Sequence, residues 1–255
     1  MLLMKTIVFL TSVFIGLFGA TDIVKADAEV KEQPTTFFIV PHQDDEMLTY
    51  GVAILNHTWH GDNVHVVLMT DGAASRVYEL LNKKLDNPLT RQEFSEARLK
   101  EFKHSMMILG VPDENIHVKN YPDGGLQVAD VESTILAIQK EYPNAKFKAM
   151  SYLDDHNDHK VSGLALQNLY DKGIVKDARF YFKPSQFGTE RFSGAIKDKY
   201  LPEYKPFIHA GVEVYKKWQP QIGRYAIGNT SVGKSFELLK NSPTSMYHVP
   251  GYKLK

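Results

Sequence analysis

Apolar and polar positions along this chain follow two alternating rhythms. Short unbroken apolar runs, rich in β-branched and aromatic residues, are separated by longer stretches in which apolar residues return every three or four positions. The runs TTFFIVP (35–41), NVHVVLMT (63–70), NIHVKNY (115–121), KFKAMSY (146–152) and ARFYF (178–182) predict strands. Between them, DDEMLTYGVAILNHTWHG (44–61), RQEFSEARLKEFKHSMMILG (91–110), VADVESTILAIQKEY (128–142) and HKVSGLALQNLYDKG (159–173) predict helices. The clearest is 91–110, which carries Phe94, Ala97, Phe102, Met106 and Leu109 on one face and stops at Gly110, with Pro112 beyond. Past about residue 185 the rhythm weakens. SQFGTERFSGAIKDKYLPEYKPF reads as loop, and IHAGVEVYKKWQPQIGRYAIG (208–228) as a helix with a following loop.

Strand and helix in alternation imply βαβ units. The expected fold is α/β: a Rossmann-like, doubly wound, mainly parallel sheet with right-handed crossovers and helices on both faces. Such sheets bind ligands outside the carboxyl ends of their strands. The polar clusters obey that rule. PHQDDE follows the first strand, TDGAAS the second, YPDGG the third and LDDHNDH the fourth, so all of them fall on one rim. The pattern contains no internal repeat and no clear linker, which makes residues 36–255 one domain, with 185–255 as a less regular C-terminal extension.

The first residues follow a different rhythm. A basic start at Lys5, an apolar run TIVFLTSVFIGLFGA, and the small residues Val24 and Ala26 ahead of a cut after Ala26 match a signal peptide over 1–26. The apolar run is short for a bilayer span. Residues 27–35 read as a polar linker, and an uncleaved amino-terminal membrane anchor is the alternative. No later stretch is long and apolar enough to span a bilayer, so the mature chain is expected to be secreted and extracellular.

Lys+Arg and Asp+Glu both number 30. No field of one sign favours nucleic acid or acidic lipid, and no nucleic-acid partner is expected. With no cysteine in the chain, disulfides and thiolate-ligated zinc are excluded, and any metal must sit on His, Asp and Glu.

Two clusters hold that donor set. PHQDDE offers His42 and Asp45, and HNDH offers His156 and His159 around Asp158. Two imidazoles and a carboxylate on zinc, with one place left for water, make a catalytic coordination set. Hydrolysis also needs a base, and Asp44 stands beside Asp45. It needs a group to steady an oxyanion, and a spare histidine, His156 oriented by Asp158, suits that task. Each cluster also has a plain structural explanation. DDE suits a helix start, with Asp44 as a helix cap, and DDHNDHK suits a solvated loop. Both plain explanations must hold at once, at the ends of two different strands on one rim, to remove the site.

These motifs resemble the LmbE/PIG-L family of metal-dependent deacetylases of N-acetylated amino sugars. The family's A-H-P-D-D-E stands here as Pro41-His42-Gln43-Asp44-Asp45-Glu46, and its H-x-D-H as His156-Asn157-Asp158-His159. TDGAAS (70–75), Arg98-x-x-Glu101 with Leu109-Gly110, and YPDGGL (121–126) occur in the family's order between them. The resemblance implies that His42, Asp45 and His159 hold the metal, that Asp44 is the general base, and that His156, oriented by Asp158, stabilises the tetrahedral intermediate. It further implies that Arg98 and Asp123 support the site or contact the sugar. Zinc is the implied cofactor, with iron as the alternative, and an N-acetylated sugar or glycan is the implied substrate. Gln43 in place of the motif's proline and Pro41 in place of its alanine depart from the pattern. Two rival readings use the same residues or fewer. A non-haem Fe(II) oxygenase shares the two-His, one-carboxylate set, and a glycan-binding module needs no chemistry at all.

Overall fold

The structure is a computed structural model of the chain, and it describes residues 33–187, 189, 192 and 194–253. The expected signal peptide (1–26) and residues 27–32 of the expected linker lie outside the described residues. Thr35, placed at the linker's end by sequence, instead opens the first strand.

Five strands form the parallel part of one sheet: β1 (Thr35–Val40), β2 (Asn63–Thr70), β3 (Ile116–Tyr121), β4 (Lys146–Met150) and β5 (Ala178–Tyr181). The full seven-strand order is β3-β2-β1-β4-β5-β9-β6, where β6 is Ile196–Lys197 and β9 is Met246–His248. β9 runs antiparallel to β5, and β6 antiparallel to β9. The expected α/β, mainly parallel architecture is therefore the observed one, closed at one edge by two short strands that the weak rhythm after residue 185 did not reveal. A second, two-stranded ribbon pairs β7 (Trp218–Gln219) with β8 (Arg224–Tyr225).

The unbroken apolar runs reflect a sheet covered on both faces. Successive side chains of a strand point to opposite sides. Phe37 and Ile39 enter one core, with Val67, Met69, Phe147, Ala149 and Phe180. Phe38 and Val40 enter the other, with Val66, Leu68, Met150 and Tyr181. The first core is covered by α5 (Val128–Glu141) and α6 (Asn157–Asp171), and the second by α1 (Asp45–Leu48), α2 (Gly51–Trp59), α4 (Arg91–Ile108), α7 (Lys205–Val214) and α8 (Ile227–Asn241). The short α3 (Val77–Asn82) packs with Phe94, Ala97 and Ile227. Lys148 takes a position on β4 that is fully buried, and it pairs with Asp177 at 2.8 Å.

The helices differ from expectation in three ways. The run 44–61 forms two helices, α1 and α2, rather than one. α3 was not expected. α8 lies mostly beyond residue 228, where no element was expected; it carries the poor helix formers Gly228, Thr230, Val232 and Gly233, and Val232 leaves helical geometry (φ −136°, ψ 35°). α4, by contrast, carries its own start signal. Thr90 and Glu93 form a reciprocal capping box.

β1 lies between β2 and β4, so the chain leaves it in one direction towards β2 and β3 and returns on its other side as β4 and β5. The carboxyl ends of β1 and β4 thus border the crevice at the switch point of the sheet, where ligands bind in open α/β folds.

Candidate metal centre

The loop after β1 and the loop after β4 meet at this crevice. His42, Asp44 and Asp45 follow β1, and each is buried, as is His159 on the first turn of α6. His42 Nδ1 lies 3.3 Å from Asp45 Oδ2 and 3.2 Å from His159 Nε2, and His159 Nε2 lies 3.1 Å from Asp45 Oδ2. Three donor atoms therefore form a nearly equilateral triangle. Donors on a tetrahedral zinc with bonds of about 2.0–2.1 Å stand about 3.3 Å apart. The residues present thus fit a divalent metal as one triangular face, with the fourth position open.

The far side of each imidazole explains why those nitrogens face inward. His42 Nε2 donates to Asp158 Oδ2 at 3.0 Å and lies 3.3 Å from Asp123 Oδ1, which leaves the Nδ1 lone pair for the metal position. His159 Nδ1 faces Asp154 Oδ2 at 3.5 Å, leaving Nε2 free. Lys183 holds the other oxygen of Asp154 at 3.0 Å. Carboxylates behind ligand histidines fix tautomer and ring orientation. Two other groups offer atoms within 4.8 Å of one another: His42 with His156 and His159, and His42 with Asp123 and Asp158. The triangle with Asp45 is tighter than the first, and the second gathers on the outward nitrogen of His42, where it acts as support.

The remaining sequence-derived residues fall into place around this triangle. Asp44 occupies the cap position of α1 but makes no capping bond with its side chain. Its φ of 115° lies in the region disfavoured for residues with a Cβ. Burial pushes its carboxyl up to about 6, against the opposing pull of Arg98. Asp45 moves the other way: burial opposes ionisation, but His159 and His42 hold it well below the usual range. Burial also opposes charge on His42, yet bonds to Asp123, Asp158 and Asp45 raise it well above the ordinary imidazole value. His156 caps the start of α6 and is exposed. Its ring centroid stands 4.7 Å from that of His42 and 4.6 Å from that of His159.

One expectation needs correction, and the contacts of Arg98 and Asp123 match the first of their two expected roles, support of the site. Asp158 does not orient His156. Its Oδ2 is taken by His42 and by the Gly124 N–H at 2.8 Å, and its Oδ1 has no hydrogen-bond partner among the described residues. Asp158 therefore supports a ligand rather than the spare histidine. Arg98 and Asp123 also stand as supports rather than free sugar contacts. Buried Arg98 donates to the Gly72 carbonyl at 2.9 Å and the Gln43 carbonyl at 2.7 Å, and it lies 3.5 Å from Asp44 Oδ2. Asp123 spends one oxygen on His42 and the other on the Ala74 N–H at 3.1 Å.

Gln43 has a clear task. Its amide donates to the Thr70 and Asp71 carbonyls at 3.4 and 3.1 Å, so it ties the loop after β1 to the end of β2. Thr70 returns the tie, donating to the Pro41 carbonyl through both N–H and hydroxyl. This contact demands glycine at residue 72. A Cβ there would sit 2.1 Å from the Gln43 side chain and 2.8 Å from Arg98, at a φ of 66°. Gly163 is demanded likewise in the middle of α6, where a Cβ would meet the backbone of Tyr152 and Met150 at 2.3 and 2.5 Å. That close approach seats the helix bearing His159 against β4.

Sequence reasoning missed Asp154 and Lys183. Asp154 lay within the LDDHNDH cluster, and its density of acids beside two histidines was the available signal. Lys183 carried none.

A sequence profile of the PIG-L family, described as GlcNAc-PI de-N-acetylase, matches residues 37–170, just over half of the chain. No curated protein matches. Among solved structures, the zinc-inhibited form of teicoplanin deacetylase Orf2 aligns with a TM-score of 0.60 at 18% identity, covering 84% of this chain and 98% of that one. N,N'-diacetylchitobiose deacetylase from Pyrococcus horikoshii aligns at 0.53 with 20% identity, covering 80% of each chain. GalB, a 4-carboxy-2-hydroxymuconate hydratase from Pseudomonas putida KT2440, aligns at 0.57 with 15% identity, covering 87% of this chain and 98% of that one. At these identities the likeness is one of fold, and the hydratase demonstrates that the fold hosts more than one chemistry. The profile, spanning both motif loops and everything between them, is what decides: the chain belongs to the PIG-L family of N-deacetylating hydrolases.

Proposed function

We propose that this chain removes the acetyl group from an N-acetylated amino sugar or glycoconjugate with the help of a divalent metal, zinc in the first instance, and that it does so outside the cell. The observation that carries the reading is the triangle of His42 Nδ1, Asp45 Oδ2 and His159 Nε2, flanked by the buried carboxylate of Asp44 and the exposed ring of His156. When bound, a divalent cation supplies Lewis acidity towards the acetyl carbonyl and the attacking water.

The chain's own groups do the rest. Asp44 takes a proton from the water as the new C–O bond forms at the acetyl carbon. His156, at the exposed side, holds the oxyanion that develops. The amide C–N bond then breaks, the proton gathered by Asp44 passes to the departing amine, and acetate leaves. Asp123, Asp154 and Asp158 keep the two ligand imidazoles in register throughout. The substrate class is supported by the deacetylases of teicoplanin and of diacetylchitobiose among the structural neighbours, a divalent metal by the zinc-inhibited neighbour, and the choice of zinc by the two-imidazole, one-carboxylate donor set. Export is supported by the pattern of residues 1–26. No helix among the described residues is long and apolar enough to cross a membrane.

The test is acetate release from a panel of N-acetylated sugars and glycans, with zinc or Fe(II) supplied and with a chelator. Metal-dependent acetate release is expected. Oxygen uptake with Fe(II) and no acetate would replace this reading with an oxygenase, and sugar binding without turnover would replace it with a glycan-binding module. Export is checked by the amino-terminal sequence of protein recovered from the medium, expected to begin after Ala26.

A further inference from the structure

Glu46 looks from sequence like the least chemical of the three acids in PHQDDE. In the structure it is completely buried and reaches back along the chain: its Oε2 accepts the Asp44 N–H at 2.8 Å. Its Oε1 accepts from the Tyr215 hydroxyl. Tyr215 follows α7 at the C-terminal side of the molecule and is itself 1% exposed. Its ring stacks on Phe236 of α8, with centroids 4.7 Å apart. Gly228 passes so close that a Cβ there would meet the ring at 2.4 Å. Tyr215 is thus held on several sides, and its hydroxyl is aimed at Glu46.

Asp44 has a competing low-energy arrangement. It stands at the cap position of α1, and aspartate is among the preferred capping residues when its backbone is extended. Relaxed in that way, its carboxylate would turn to the N–H groups of the first turn of α1 and away from the centre. The observed φ of 115° keeps it out of that state at a cost in backbone strain. Something must oppose the relaxation, and the bond from the Asp44 N–H to Glu46 is the local contact that does so.

We propose that Glu46 and Tyr215 are positioning residues for the base: Tyr215 fixes the Glu46 carboxyl, and Glu46 fixes the Asp44 backbone in the conformation that presents the Asp44 carboxylate to the reacting water. The kinetic part of this assignment rests on the deacetylase reading, and the conformational part does not. An irregular C-terminal segment thereby becomes part of the rate of the reaction, although none of its residues touches the metal position.

The experiment combines kinetics with crystal structures. E46A should lower kcat by about 10²-fold, the loss expected when a reacting group is misplaced by about 1 Å, with KM and metal content unchanged. E46Q should recover most of that loss, because its amide oxygen still accepts the Asp44 N–H. Y215F should lower kcat by about 5-fold, a smaller loss because Glu46 keeps its bond to Asp44. In a D44N background, E46A should add no further loss. An equal loss from E46A with and without Asp44, or metal lost in parallel with rate, overturns the proposal. In the crystal structure of E46A, Asp44 should leave positive φ. If it stays there, the proposal fails whatever the turnover. A wild-type protein that releases no acetate from any N-acetylated sugar removes the functional reading, and the Asp44 backbone then decides the positioning claim alone. Should E46A not fold, E46M, which fills the same space but cannot accept the Asp44 N–H, carries the same structural comparison.

Discussion

The two loops that build the metal centre are held in opposite ways. The loop after β1 is buried along His42–Glu46 and is tied from outside at nearly every position: Gln43 to β2, Arg98 to the Gln43 carbonyl, Glu46 to Tyr215. The loop after β4 is buried at its two ends and open between them. Asp154, Asp158 and His159 are buried, whereas Asp155, His156 and Asn157 face solvent. On the proposed mechanism, one loop supplies rigidity, with two ligands and a base at fixed places, and the other supplies one fixed ligand and one residue free to meet whatever arrives. That mechanism puts substrate-facing chemistry where the chain is least constrained, and proton abstraction where it is most constrained.

The strongest way to test that division is Asp44→Asn. Loss of a general base should lower kcat by about 10²–10⁴-fold with metal content and folding intact, as read by acetate release and elemental analysis. A variant that keeps near-normal turnover would remove Asp44 as the base. His156→Ala should come next, at about 10²–10³-fold in kcat, the loss of an oxyanion donor. Because the ring is exposed, its thermal midpoint should stay within a degree or so of wild type, and a large drop would show that the second loop is as tightly built as the first. Arg98→Met tests the first loop's rigidity directly. It removes charged hydrogen bonds to two buried carbonyls and leaves Asp44 without its cation, so unfolding by denaturant should show a loss of about 3 kcal/mol. Lys148→Met, outside both loops, should change stability alone. Burial lowers this lysine to about 8 against an ordinary 10.5. Between those values the unfolded state binds more protons than the folded one, so this group makes stability rise with pH from about 8 to about 10.5. The methionine variant should lose that rise and gain roughly 1 kcal/mol at neutral pH, with turnover unchanged, as measured by denaturant titration across pH.

The core of the architecture was legible because parallel strands buried on both faces leave runs such as FFIV and HVVLM that little else produces. The meeting of His42, Asp45 and His159 was legible because metal chemistry demands particular side chains at the ends of two strands. What escaped notice is tertiary. α8 begins at Ala226, which has no capping side chain, and its first N–H groups, of Ile227 and Gly228, donate to Glu101 of α4 at 2.9 and 3.0 Å. The start signal of that helix is thus stored 126 residues away. Asp158 misled for a related reason. Two residues from His156, it was read as that histidine's partner, but the first turn of α6 carries it towards His42. Adjacent letters in a motif are not adjacent tasks.

That distant cap bears on the order of assembly. Arg98 and Glu101 lie three apart on one helix, one gripping the loop after β1 and the other the start of α8. Contacts between residues far apart in sequence cost the most chain entropy and come late. The parallel part of the sheet and the two loops of the centre rest on pairings completed by β5, whereas the Tyr215 donor for Glu46 and both backbone donors for Glu101 arrive only when α7 and α8 dock. Until then Glu46 has only the Asp44 N–H, and Glu101 lacks its two backbone donors, which burial would penalise. The last segment to join therefore does more than cover a face. Its arrival completes the bonding of the two acids and leaves Glu46, beside Asp44, held from both sides.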